Sequence, residues 1–155
     1  TAWHDALEWV DELKGMSFDV WWAQVQLRCE VVFRHLRDDE LQHVEQACRL
    51  LVNKPDLQPW LQAARANKNH VFNELEWVLG DGRSLRADRV LELSDRFLVL
   101  DYKWAVNSGN LPGYTQQVLE YVGLVDLTLN KGQKQAPTQA ALIDRHGEVH
   151  WLTSV

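Results

Sequence analysis

Residues 84–103 read SLRADRVLELSDRFLVLDYK, and their pattern decides the fold. Ser94-Asp95 is a turn pair between two runs of strand-forming residues, so the segment predicts a hairpin with one strand from Ser84 to about Leu93 and the next from Phe97 to Lys103. If Ser94 and Asp95 are the two loop residues, Leu93 faces Arg96, Val90 faces Val99, Asp88 faces Asp101 and Arg86 faces Lys103. Lys103 lies two positions beyond Asp101 and projects on the same face of the sheet.

Upstream, the period changes from 3.6 to 2 near Asn69. Val71, Asn73, Leu75, Trp77 and Leu79 alternate with Phe72, Glu74, Glu76 and Val78, and Asp81-Gly82 is a second hairpin signal, so three strands should form a meander. Before them the chain reads as helical. His4–Leu13 and Phe18–Leu36 are amphipathic, and Asp38 and Asp39 stand where an N-cap belongs, ahead of Leu41, Val44, Ala47, Cys48 and Leu51 on one face. Pro55 ends that helix, and a shorter one should run from Asp56 to Ala66. Downstream, 107–113 is a loop by composition and Tyr114–Leu129 is the next helix. Lys131–Pro137 is a polar connector, and Thr138–Asp144 with Glu148–Thr153 forms a hairpin turning at His146-Gly147. The expected architecture is α/β: a small mixed sheet flanked by helices, with a helical N-terminal half (1–66) and a core carrying the motifs (70–155).

The 155 residues suit one domain, 46% hydrophobic and 25% charged, which excludes disorder and collagen-like classes. No apolar run reaches the roughly 18 residues that a membrane helix needs. Cys29 and Cys48 are too few for a disulfide framework or a four-thiolate metal site, and helix packing accounts for them. The net charge of −6 argues against holding nucleic acid by counterion release alone, though not against binding through a metal. The only methionine is Met16, and the chain is expected to be a piece of a larger protein. The first helices carry Trp3, Trp9, Trp21 and Trp22, as core residues or as a surface that meets another domain.

Chemistry concentrates in the hairpin. Two facing carboxylates about 5 Å apart repel by about 3 kcal/mol at an effective dielectric near 20, so Asp88 and Asp101 need compensation. A divalent cation supplies it: Mg²⁺ or Mn²⁺ takes a few hard oxygen ligands from protein and leaves places for water and a phosphate. A lysine beside the pair can orient the attacking water and neutralise charge on phosphorus. The purely structural alternative pairs Asp88 with Arg86 or Arg89, and Asp101 with Lys103 as a solvated ion pair on an edge strand. A register slip of one residue would also separate the two aspartates.

Arg86-Ala87-Asp88-Arg89, then Asp101-Tyr102-Lys103 after an apolar strand, then Gln117-Val118-Leu119-Glu120-Tyr121 with Tyr114 one turn earlier, resembles the RecB-like branch of the PD-(D/E)XK nucleases, the nuclease domain of exonuclease V and helicase-nuclease proteins. The resemblance covers about residues 70–125. It implies a restriction-endonuclease-like core and a Mg²⁺- or Mn²⁺-dependent deoxyribonuclease, in which Asp88, Asp101 and the main-chain carbonyl of Tyr102 ligate the metal. Lys103 would be the catalytic lysine, and Gln117, Tyr121 and Arg86 would line the site and meet DNA. The family tends to carry a glutamate on the preceding strand; Glu74 and Glu76 both qualify, and Glu74 fits the spacing better. Many members also have a metal-binding histidine in the N-terminal helical region. Aligned to Arg28–Arg34, that motif puts Phe33 at the histidine position, with His35 and His70 as nearby substitutes.

No P-loop, dinucleotide fingerprint or HExxH is present, and Gly80-Asp81-Gly82 reads as a turn. The expected function is metal-dependent hydrolysis of DNA phosphodiesters in repair or recombination, beside a helicase domain or subunit, in a cytoplasmic, nucleoid-associated and non-membrane setting. Two alternatives are a nuclease-like module that binds DNA or a partner without cutting, and an unrelated interaction domain.

Overall fold

Every residue of β3 (Phe97–Tyr102) is buried, which is why its apolar run does not alternate: the strand has helices on both faces. This computed structural model describes residues 1–32, 36–66 and 69–152. Around β3 lie β1 (His70–Val78), β2 (Ser84–Glu92), β4 (Gln139–Ile143) and β5 (Val149–Leu152), in the spatial order β1-β2-β3-β4-β5. Among the described residues only the β3–β4 pair is parallel, so the sheet is mixed. Val90 faces Val99 as the two-residue turn requires.

The described helices are α1 (Ala2–Glu8), α2 (Phe18–Val32), α3 (Asp38–Val52), the short α4 (Gln58–Leu61) and α5 (Leu111–Val125). Trp3 and Leu7 of α1, Trp21 and Val25 of α2, and Cys48 and Leu51 of α3 pack on Leu91, Leu98, Leu100, Tyr102, Ala141 and Ile143. Val118, Tyr121 and Val125 of α5 cover Val90, Val99, Ala140 and Leu142 on the opposite face. Cys29 and Cys48 are buried free thiols, and burial pushes both thiol pKa values up, which makes them packing residues. No helix among the described residues is long and apolar enough to cross a membrane.

Three helix boundaries differ from the sequence reading. The stretch 4–13 is not one helix: α1 ends at Glu8 and Trp9–Leu13 tightens to a 3-10 turn, where Asp11 meets Arg89. The expected helix over 56–66 is two 3-10 turns around α4, since Pro55 and Pro59 each remove an amide donor from so short a segment. α5 begins at Leu111, not Tyr114, because Pro112 falls in the first turn, where its missing N–H costs nothing.

A buried arginine ties the two halves together. Arg89 is fully buried and donates to both oxygens of Asp11 at 2.9 and 3.1 Å, to Asn73 Oδ1 at 2.9 Å and to the Trp60 carbonyl at 3.1 Å. Its partner is therefore Asp11, and the alternative in which Arg89 neutralises Asp88 does not hold.

Candidate active site

The site is built where regular pairing stops. β1 and β2 pair in register on both sides of Glu74, but the Glu74/Asp88 position is skipped and Glu74 takes a left-handed φ of 55°. For a non-glycine residue that conformation costs roughly 1–2 kcal/mol. Its effect is to switch the faces of both strands. Phe72 and Val90 face α5 on one side of the break, whereas Leu75, Trp77, Leu85 and Ala87 face it on the other. The strict alternation expected through 71–79 is thus broken at Glu74.

Beyond the break, β2 and β3 diverge. Their ladder ends at Arg89↔Leu100, while β3 continues beside β4 through Tyr102↔Ile143, and Lys103 N–H donates to the Ile143 carbonyl at 3.0 Å. The expected pairing of Arg86 with Lys103 therefore does not form. The Asp88 side chain bridges the opening, its Oδ2 accepting from the Tyr102 amide at 2.7 Å. Asp88 and Asp101 lie close enough for the Asp101 charge to act on the Asp88 carboxyl. Burial first, and the Asp101 charge second, push the Asp88 carboxyl far above the usual range, to about 8.

Lys103 Nζ lies 3.0 Å from Asp101 Oδ2 and donates to Gln117 Oε1 at 3.0 Å, with the Tyr114 ring 4.7 Å beneath it. This ion pair is neither solvated nor at an edge, for Asp101 is 2% exposed on the central strand. Burial first, and the charges of Asp101 and Asp88 next, raise the Tyr121 hydroxyl pKa to about 12. Gln117 and Tyr121 sit on one face of α5, as their spacing of four requires.

A histidine lies beside Asp88 and the Tyr102 carbonyl, and it is neither of those suggested by the sequence. His4 Nε2 is 2.7 Å from the Tyr102 carbonyl and 3.6 Å from Asp88 Oδ2, while Nδ1 is 2.6 Å from Thr1 Oγ1. Because a carbonyl only accepts, this contact puts the proton on Nε2 with Thr1 donating to Nδ1; ligation of a metal through Nε2 takes the other tautomer, in which Nδ1–H donates to Thr1 Oγ1. Burial lowers the His4 pKa, so the ring is neutral at neutral pH, the form that ligates metals. His4 was missed because the histidine motif was matched to the longer second helix. The available signal was its place between Trp3 and Leu7 on the inward stripe of the first helix. His70 stands elsewhere, exposed at the start of β1 and 3.3 Å from Glu92. Phe33 and His35 lie outside the described residues.

Glu74 and Arg86 pair with each other at 3.0 Å. Glu74 gathers with Asp5 and Glu8, their ligand atoms all within 4.8 Å of one another. Glu76 accepts a short hydrogen bond from Ser84.

Asp88, Asp101 and the Tyr102 carbonyl offer the hard oxygen donors that Mg²⁺ or Mn²⁺ takes, with His4 beside Asp88 and the carbonyl. His4, Asp88 and Asp101 do not bring one ligand atom each within 4.8 Å of one another, so an ion would have to draw them together. Asp101 Oδ2 is buried with no well-formed hydrogen bond and only the Lys103 charge for company, an oxygen that a cation would satisfy. No family model matches this chain, and no curated protein matches it.

Proposed function

We propose that this chain is a metal-dependent deoxyribonuclease domain of the RecB-like kind, hydrolysing DNA phosphodiesters at the Asp88–Asp101–Lys103 cluster. The observation that carries the reading is the meeting, where β2 and β3 part, of a buried and a half-buried aspartate, a lysine, a main-chain carbonyl and a neutral histidine. Asp88, Asp101, the Tyr102 carbonyl and His4 would hold Mg²⁺ or Mn²⁺. When bound, the cation supplies Lewis-acid activation of water and phosphate and stabilises the leaving oxygen.

The remaining work falls to the chain. Lys103, fixed between Asp101 and Gln117, places an ammonium beside the reacting phosphate, where it orients the attacking water and offsets charge developing on phosphorus. Attack in line breaks the P–O3′ bond and leaves a 5′-phosphate. Gln117 and Tyr121 limit the motion of Lys103 and wall the site on the α5 side. Thr1 orients the His4 ring, as outer partners of metal-ligating histidines commonly do. The non-cutting alternative rests on Phe33 at the histidine position, and the presence or absence of cleavage separates it from the present reading. A place in DNA repair or recombination beside a helicase, in a cytoplasmic, nucleoid-associated setting, belongs to the same proposal and rests on the family resemblance.

The test is incubation of linear duplex and single-stranded DNA with the protein and Mg²⁺ or Mn²⁺, beside Lys103→Ala and Asp101→Asn. Metal-dependent cleavage by the wild type that both variants lose supports the reading. Wild-type cleavage no greater than that of the variants overturns it.

A further inference from the structure

Immediately past Lys103, Trp104 stands at the surface, 40% exposed, in a molecule whose Trp3, Trp21 and Trp22 are buried. The ring is nevertheless fixed. It packs edge-on against Trp3 at 5.3 Å between centroids, and Trp3 meets the His4 ring at 5.4 Å. Arg145 donates from Nη1 to the Trp104 carbonyl at 3.0 Å and keeps its guanidinium 5.4 Å from the indole centroid. A rigid aromatic surface thus lies two ring contacts from the site, on the side of the sheet covered by α3.

Trp104 also opens a groove. A pocket of about 220 Å³ bordered by Trp104, His43 and Arg145 continues through Leu50 and His146 into one of about 510 Å³ that reaches Lys54. The stem of Lys54 forms part of its floor against Gly147, where a Cβ would stand 2.8 Å from Lys54 Cδ. Among the described residues no carboxylate lines either part, although the chain carries a net charge of −6. Arginine, lysine and two histidines are concentrated in a track that begins at an exposed indole. Phosphates want that lining, and a base wants that ring, since stacking on an aromatic face is sequence-tolerant. Only an unpaired base can leave its neighbours to stack there.

We propose that the groove from Trp104 to Lys54 binds the single-stranded DNA that enters or leaves the active site, with one base stacked on Trp104 and the following phosphates facing Arg145 and Lys54. This assignment rests on the nuclease reading for its choice of ligand, but its test does not require cleavage.

The measurement is fluorescence anisotropy of a labelled oligothymidylate and of the matching duplex, in EDTA and at several salt concentrations. Trp104→Ala is expected to weaken single-strand binding about tenfold or more while duplex binding stays within about twofold. Trp104→Phe, which keeps an aromatic face, restores most of the affinity. Lys54→Gln reduces the slope of log affinity against log salt by about 0.7. The inference is overturned if the wild type does not bind the single strand, or if folded Trp104→Ala binds as the wild type does. Should Trp104→Ala melt early, the doubly substituted Lys54→Gln, Arg145→Gln decides instead, and an unchanged salt slope overturns the assignment. Cleavage without Trp104-dependent binding removes the groove and leaves hydrolysis standing. Trp104-dependent binding without cleavage does the reverse.

Discussion

Asp88 and Arg89 are adjacent in β2, and each carries an ionisable group into the protein, yet their surroundings differ in kind. Arg89 meets a carboxylate, an amide oxygen and a carbonyl that use both terminal nitrogens of its guanidinium. That cluster is neutral in sum, its guanidinium charge met by the Asp11 carboxylate, although Arg89 Nε is left without an acceptor. Asp88 meets a second carboxylate, and the compensation is incomplete: the Asp88 carboxyl holds its proton far above the usual pH, and Asp101 Oδ2 has only an ionic contact. A polar cluster whose charges cancel stabilises a fold, whereas one that lacks a positive charge is suited to hold one.

The contrast can be broken from either side. Arg89→Ala should have the largest effect, a loss of about 3–5 kcal/mol in urea denaturation, because it leaves Asp11 facing a buried gap. A loss below about 1 kcal/mol would mean that the arginine network does not lock the halves. Lys103→Ala should lower metal-dependent cleavage by about 10²–10³-fold, with the melting temperature little changed. Parallel loss of fold and activity would erase the distinction between the clusters.

Next in size is a pH effect. Because the folded protein holds the Asp88 proton more tightly than the unfolded chain, this contribution to stability is complete below about pH 4 and is lost as pH rises toward about 8. In EDTA, denaturation curves should therefore show stability falling across that window by up to a few kcal/mol more than in Asp88→Asn. Mn²⁺ should flatten the wild-type curve; identical slopes for the two proteins would refute the assignment. Smallest, His4→Gln should weaken Mn²⁺ binding by roughly 10–100-fold in calorimetric titration, keeping the carboxylates in place. Unchanged affinity would leave His4 as a packing residue.

Much of this arrangement was legible in one dimension. The Ser94-Asp95 turn sets the β2–β3 register, since two loop residues leave one way for the strands to pair, and Val90 faces Val99 accordingly. The spacing of Gln117 and Tyr121 puts them on one side of α5, and the structure brings that side to Lys103. Alternation through β1 misled, because a single left-handed residue, Glu74, exchanges the faces of the strands and no local rule marks it there. Motif position points to Arg86 and Glu74 as site residues, and the structure shows them paired with each other at 3.0 Å. His4 escaped notice for a different reason: its partner, the Tyr102 carbonyl, is 98 positions away and is a backbone atom without sequence identity.

By itself the sequence determined the strands, the hairpin register and the order of the acidic, basic and amide groups along them, because turns and side-chain periodicity act over a few residues. Tertiary structure alone decided that β2 and β3 should part beyond Leu100, that Asp88 should reach across the opening, and that α1 should bring His4 onto it. Those outcomes follow from packing two helical layers against one sheet, where the position of each group depends on volume and charge contributed from the whole chain.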